Sequence, residues 1–151
     1  MRALIQRVSR ASVRFPESAA ARERSIGRGV LVLLGCGSGD DAGAAEALAR
    51  KCAGLRIFPD DAGRFARSLT DVGGSALIVS QFTLYADCGK GRRPDFLAAL
   101  PAQSAEPLYR RFTEAFAAEG VPVQTGEFGA RMEVELVNDG PVTLWLDSAR
   151  L

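Results

Sequence analysis

The stretch VLVLLGC, residues 30–36, runs without a charged side chain and closes on a glycine and a cysteine. A strand that is apolar at successive positions must be covered on both faces, so it demands a sheet with material on either side. SALIVSQFTLYAD, residues 75–87, is the strongest strand signal in the chain. Between these runs Ala45, Leu48, Cys52 and Leu55 recur at helical spacing. Asp40 or Asp41 can cap that helix and Gly54 lies near its end. A second helix is expected with Ser104 as its cap, Pro107 in the first turn, Leu108, Phe112, Ala115 and Phe116 on one face, and Gly120 as its stop.

The other segments read as strands and connections. MRALIQRVSRASVRF suggests a strand and a return, and PESAAARERSIGRG a connection. LRIF reads as a short strand before the turn chemistry of PDDAGR, and ADCGKGRRP as a loop rich in glycine and cations. VPVQTGEF and RMEVELVNDGPVTLWLD read as two last strand runs, with Met132, Val134 and Leu136 alternating against Arg131, Glu133 and Glu135. This order predicts an α+β fold with a curved or barrel-like mixed sheet and two main helices. With 151 residues, 47% of them hydrophobic, a single domain over residues 1–151 is expected.

The composition limits the chemistry. There are no histidines, which removes Ser-His-Asp and Cys-His catalysis and every histidine-ligated metal site. The 19 Lys and Arg against 18 Asp and Glu leave a net charge of +1, so a polyanion would have to be held by a local patch. Cys36, Cys52 and Cys88 fit neither a CxxC motif nor a disulfide framework and read as thiols of a reduced, cytoplasmic protein. The start, MRALIQRVSR, is charged at Arg2, Arg7 and Arg10 and has no long apolar run, so neither a signal peptide nor a membrane span is expected.

GCGSG, residues 35–39, raises a nucleotide or S-adenosylmethionine site, with Asp60 or Asp61 about 20 residues on to hold a ribose. Against that, Leu33 stands where methyltransferases usually carry an acid, and too little chain follows for such a fold. A plain strand-to-helix turn that needs positive φ is the preferred reading.

SQFTLYAD, residues 80–87, and NDGPVT, residues 138–143, are sharper. Together with MRALIQRVSRASV, LRIFPDD, DVGG and KGRRP, they resemble the D-aminoacyl-tRNA deacylases of the bacterial and eukaryotic type over nearly the whole chain, in the family's order. The resemblance implies a homodimer with its sites at the interface and aminoacyl-tRNA as substrate, with no cofactor, metal, membrane or DNA. It implies that Ser80, Gln81, Phe82 and Thr83 form the floor of the catalytic site. It also implies that Gly140 and Pro141, joined by a cis bond, reach into the partner's site, with Arg7 steadying them and Phe128 and Met132 as pocket walls. Lys90, Arg92 and Arg93, just past the first motif, are candidates for tRNA phosphates. Tyr109, Arg110 and Arg111 read as the solvent face of the second helix. Residues 16–26, Arg131, Cys88 and Asp95 depart from the family's usual pattern.

The residues themselves are compatible with that activity. A strand ending in Ser-Gln-Phe-Thr can offer a hydroxyl, an amide and consecutive backbone N–H groups to an activated ester. The sequence leaves open whether Thr83 attacks or orients. With no base in evidence we favour orientation. The alternatives are a non-catalytic RNA-binding module on the same scaffold and the nucleotide or S-adenosylmethionine reading of the glycine turn.

Overall fold

The computed structural model describes residues 1–17 and 22–151. Its main sheet has the order β2-β1-β3-β6-β7, with β8 on the other edge of β1. The strands are β1 (Arg2–Phe15), β2 (Arg22–Ile26), β3 (Gly29–Gly35), β6 (Ser75–Ser80), β7 (Val123–Thr125) and β8 (Glu133–Asp147). β1 is antiparallel to β2, β3 and β8, whereas β3, β6 and β7 run parallel. A small hairpin, β4 (Phe58–Pro59) with β5 (Phe65–Arg67), stands apart. Arg24 of β2 reaches the Thr125 carbonyl of β7 at 2.7 Å, so the ends of the sheet curl toward each other. The α+β, barrel-like architecture expected from the sequence is present.

β3 is covered on both faces, as its unbroken apolar run requires. Val30, Val32 and Leu34 point to a core shared with α1 (Ala42–Ala53) and α2 (Ala102–Ala118), while Leu31 packs on the opposite face with Val8, Val13, Phe15 and Leu77. Ala45, Leu48 and Cys52 of α1 and Phe112 and Phe116 of α2 are buried at this core, and Leu108 and Ala115 pack against it. Asp41 caps α1 by accepting from the Ala44 amide at 2.8 Å.

Several boundaries differ from the sequence reading. Residues 2–15 form one long strand and not a strand and a return. The pairing of β1 with β8 slips between Gln6 and Arg10, and this bulge moves Ala11, Val13 and Phe15 to the face opposite Ala3 and Ile5. A broken alternation looks like a reversal in sequence, but a bulge shifts the pleat without turning the chain. The expected connection contains β2, which pairs back on β1 with Ala11 opposite Ile26. Part of that connection, residues 18–21, lies outside the described residues.

LRIF contributes only its last residue to a strand, because β4 begins at Phe58. VPVQTGEF forms only the short β7. α2 starts before Ser104, with Pro101 at its cap, so Pro107 lies inside the helix and not in its first turn. SALIVSQFTLYAD is a strand only to Ser80, and Phe82–Tyr85 is a 3₁₀ turn.

Candidate active site

The 3₁₀ turn decides the local geometry. β3 and β6 end side by side with Leu34 opposite Ser80, and the Gln81 amide donates to the Leu34 carbonyl at 2.7 Å. The chain then folds over the end of β3. A Cβ on Gly35 would come within 2.9 Å of the Gln81 carbonyl oxygen, and one on Gly37 would enter the Tyr85 ring, 2.6 Å from its hydroxyl oxygen. These two glycines are therefore required by close approach, and of the three in GCGSG only Gly39 has positive φ, at 90°.

The glycine-rich turn is the seat of Tyr85, so the chain's own ring fills the space that a nucleotide would need there. The acids proposed for a ribose are engaged locally. Asp60 accepts from the Ala62 and Arg64 amides, both at 2.9 Å, and Asp61 pairs with Arg67 at 2.7 Å.

Beside the turn lies a cavity of about 560 Å³ between β6, α2 and the segment after β7. Ser80, Gln81 and Phe82 form one side, and Phe128, Met132, Leu100 and Tyr109 are among its walls. Five residues singled out in sequence are thus brought together. Thr83 is exposed next to them, and the Gln81 side-chain amide donates to its hydroxyl. The Phe82 ring is exposed and meets Phe96 edge-on at 5.0 Å.

The lining has no carboxylate. Its titratable groups are neutral near pH 7: burial, aided by Asp40, pushes the Cys36 thiol up to about 11, and burial pushes the Tyr109 hydroxyl up to about 12. Tyr109 is not on a solvent face, as expected from sequence. It is buried, its hydroxyl donates to the Ile78 carbonyl at 2.8 Å, and its ring stands 5.7 Å from Phe128. Only its neighbours fit the solvent-face reading, Arg110 paired with Glu106 and Arg111 with Glu46, each at 2.6 Å.

Arg7, Gly140 and Pro141 form a second cluster. Opposite Arg7, β8 leaves the ladder between Asn138 and Thr143, and the excursion carries the cis Gly140-Pro141 bond. Asn138 closes the excursion by accepting from the Val142 amide and donating to the Thr143 hydroxyl, both at 2.9 Å. Gly140 has a φ of 134°, and a Cβ there would lie 3.0 Å from the Arg7 guanidinium. Buried Arg7 donates to the carbonyls of Asp139 at 3.0 Å and Ile57 at 2.6 Å, and pairs with the Asp139 carboxylate at 3.2 Å. Gly140 and Pro141 are exposed, and neither is among the residues lining the cavity.

Lys90, Arg92 and Arg93 are exposed in a loop whose base is pinned by paired backbone hydrogen bonds between Asp87 and Asp95, both at 2.8 Å. None of the three has an ion-pair partner among the described residues. Arg131, the departure beside Met132, faces Glu17 at 3.6 Å.

Sequence reasoning missed the part Asn138 plays inside its own motif. It also missed Tyr109 as a cavity wall, although a large ring two turns from Phe116 on an apolar face was a signal for burial.

Comparison with known proteins gives the family and the fold. The family described as D-Tyr-tRNA(Tyr) deacylase matches residues 4–147. A D-aminoacyl-tRNA deacylase from Thermomicrobium roseum is 61% identical over 151 residues, which covers 100% of this chain and 96% of its own. Among solved structures, the c-Myc DNA Unwinding Element Binding Protein is similar with a TM-score of 0.88 and 41% identity, over 97% of this chain and 98% of that one. A chain described as a probable eukaryotic D-amino acid tRNA deacylase shares the fold, with a TM-score of 0.80 at 20% identity over 96% of this chain and 97% of its own. From the motif at the end of β6 to the bulge in β8, and across nearly its full length, this chain belongs to the D-Tyr-tRNA(Tyr) deacylase family.

Proposed function

We propose that this protein hydrolyses the ester between a D-amino acid and the 3′-terminal ribose of tRNA, releasing free tRNA and the D-amino acid, and that it treats glycyl-tRNA in the same way. The observation that carries the reading is the seat of Ser80, Gln81 and Phe82 on the side of a mostly apolar cavity, in a chain of this family. A volume of about 560 Å³ suits a nucleoside with its attached amino acid, within the roughly 300–1,000 Å³ of small-ligand sites.

Water adds to the ester carbonyl, the bond to the ribose oxygen breaks, and that oxygen leaves with a proton. The first amides of a 3₁₀ turn have no partner inside it, so those of Phe82 and Thr83 are suited to hold the oxyanion. With no carboxylate in the lining and no histidine in the chain, proton transfer falls to water and the neighbouring ribose hydroxyl. Thr83, tied to Gln81, orients the substrate and does not attack it. The reaction needs no metal or cofactor.

Stereochemical choice is assigned to Gly140 and Pro141 of a second copy. What supports this is their exposure on β8, an edge strand among the described residues, away from their own cavity. Main chain placed beside the substrate's α-carbon would clash with an L side chain, pass a D side chain, and have nothing to refuse in glycine. In this reading the protein is a homodimer of single domains spanning residues 1–151, acting in the cytoplasm, and Lys90, Arg92 and Arg93 meet phosphates of the tRNA. No helix among the described residues is long and apolar enough to cross a membrane.

Initial rates on matched D-tyrosyl-, glycyl- and L-tyrosyl-tRNA test the proposal, with sedimentation to give the oligomeric state. Hydrolysis of the first two and negligible hydrolysis of the third are expected from a dimer. Comparable rates on L- and D-tyrosyl-tRNA would remove the filter. Binding of tRNA without hydrolysis of any of them would favour the RNA-binding module.

A further inference from the structure

We propose that Arg2 is a positioning residue for this reaction, an inference that rests on the deacylase reading above. Arg2 lies near the start of β1, opposite Gly35 of β3 on one side and Asp147 of β8 on the other. Its side chain reaches over the end of β3 to the 3₁₀ turn. Nη1 donates to the Leu84 carbonyl at 2.9 Å, and the guanidinium carbon lies 4.3 Å from the centre of the Tyr85 ring and 5.6 Å from that of Trp145. Nε faces Asp147 Oδ2 at 3.5 Å.

Only a planar cation with donors on several edges can hold a carbonyl and lie against rings at once. Tyr85 is held from its other end, where its hydroxyl donates to Asp40 at 3.3 Å and Asp40 also takes the Gly37 amide at 2.6 Å. Arg2 therefore fixes the rear of the turn whose front carries Phe82 and Thr83.

The coupling to the front is short. The Leu84 amide donates to the Gln81 carbonyl at 3.2 Å, and the Ala86 amide to the Thr83 carbonyl at 3.0 Å. A carbonyl at the end of such a turn has no donor inside the turn, so without Arg2 the Leu84 oxygen turns to water and the turn loosens. Gln81 and Thr83 then lose their placement, while the cavity walls that grip the substrate stay on β6, α2 and the segment after β7. Loss of placement lowers kcat and leaves KM near its original value.

The test compares Arg2→Gln and Arg2→Lys with the unchanged protein by kcat and KM on D-tyrosyl-tRNA, alongside amide exchange at Leu84 and Ala86. Arg2→Gln should lower kcat about ten- to a hundredfold with KM within about twofold. Exchange at Leu84 and Ala86 should quicken while Val32 and Ile78 in the core remain protected. Arg2→Lys should recover part of kcat, since an ammonium reaches the carbonyl but does not lie across the rings. An Arg2→Gln protein with unchanged kcat, or with a raised KM alone, overturns the proposal. If the unchanged protein does not hydrolyse D-tyrosyl-tRNA, the deacylase reading fails by itself, and unchanged exchange at Leu84 and Ala86 would separately refute the clamp.

Discussion

Gly37→Ala is a single methyl group aimed at the site from behind. The added Cβ would overlap the Tyr85 ring and lie 2.6 Å from its hydroxyl oxygen, where carbon atoms ordinarily keep about 3.5–4.0 Å apart. The ring cannot simply swing away, because Asp40 holds its hydroxyl at 3.3 Å and the Arg2 guanidinium covers it at 4.3 Å. The 3₁₀ turn must retreat by about 1 Å, and overpacking of this kind costs about 1–3 kcal/mol. For a chain of 151 residues that is a fall in Tm of about 2–12 °C. Because Phe82 and Thr83 ride on the same turn, a 1 Å displacement should also lower kcat by about a hundredfold.

Gly39→Ala is the control. Its φ of 90° strains any side chain, at about 1–2 kcal/mol, yet a Cβ there meets nothing within 4 Å, so stability should fall while kcat holds. The assay is thermal melting with single-turnover hydrolysis of D-tyrosyl-tRNA, repeated in a Tyr85→Ala background. With the ring gone, Gly37→Ala should cost less than about 0.5 kcal/mol. An equal cost in both backgrounds, or the same profile for the Gly37 and Gly39 variants, would refute the claim that the glycine turn exists to seat Tyr85.

Thr83→Ala should slow hydrolysis but leave a rate well above background, and an aminoacyl ester trapped on Thr83 would show that it attacks instead. Arg7→Met strips donors from the buried Ile57 carbonyl and the part-buried Asp139 carbonyl and should cost about 2 kcal/mol or more, seen as a Tm lowered by at least about 4 °C. Neutralising Lys90, Arg92 and Arg93 together should flatten the dependence of log affinity for tRNA on log salt by about 2, and an unchanged slope would return them to bulk solvent.

The thiols give a test by pH. Burial raises Cys36 to about 11 and Cys52 to about 12, whereas Cys88 is exposed, so iodoacetamide at pH 8 should modify the native chain once, at Cys88, as read by mass. A folded pKa above the unfolded value of about 8.5 means that this stability is complete below that pH and is lost as pH rises through the folded values. Tm should therefore decline from about pH 9 upward, less steeply in Cys52→Ala.

The sequence by itself determined the layers and the two motifs on which the proposed chemistry rests. Unbroken apolar runs at residues 30–36 and 76–79 suit strands covered on both faces, and the helical repeats at Leu48 and Phe112 supply part of that cover. The absence of histidine and the two motifs carried the choice of reaction class, and the structure brings Ser80, Gln81, Phe82, Phe128 and Met132 to one cavity.

Tertiary structure alone decided the rest. Leu84 and Tyr85 are apolar because they pack on Gly35 and Gly37, but periodicity records only that a residue is dry and not what dries it, so the turn read as more strand. Spacing along β1 does not tell Arg7 from a solvated charge, and only the resemblance gave it a role; its burial depends on the carbonyls of Ile57 and Asp139, 50 and 132 residues away. Arg2 gave no signal, because its partner at Leu84 lies 82 residues on. Local spacing encodes which face of an element is wet. The partners of a polar side chain are fixed only when distant segments close on each other, and it is those contacts that shape the site.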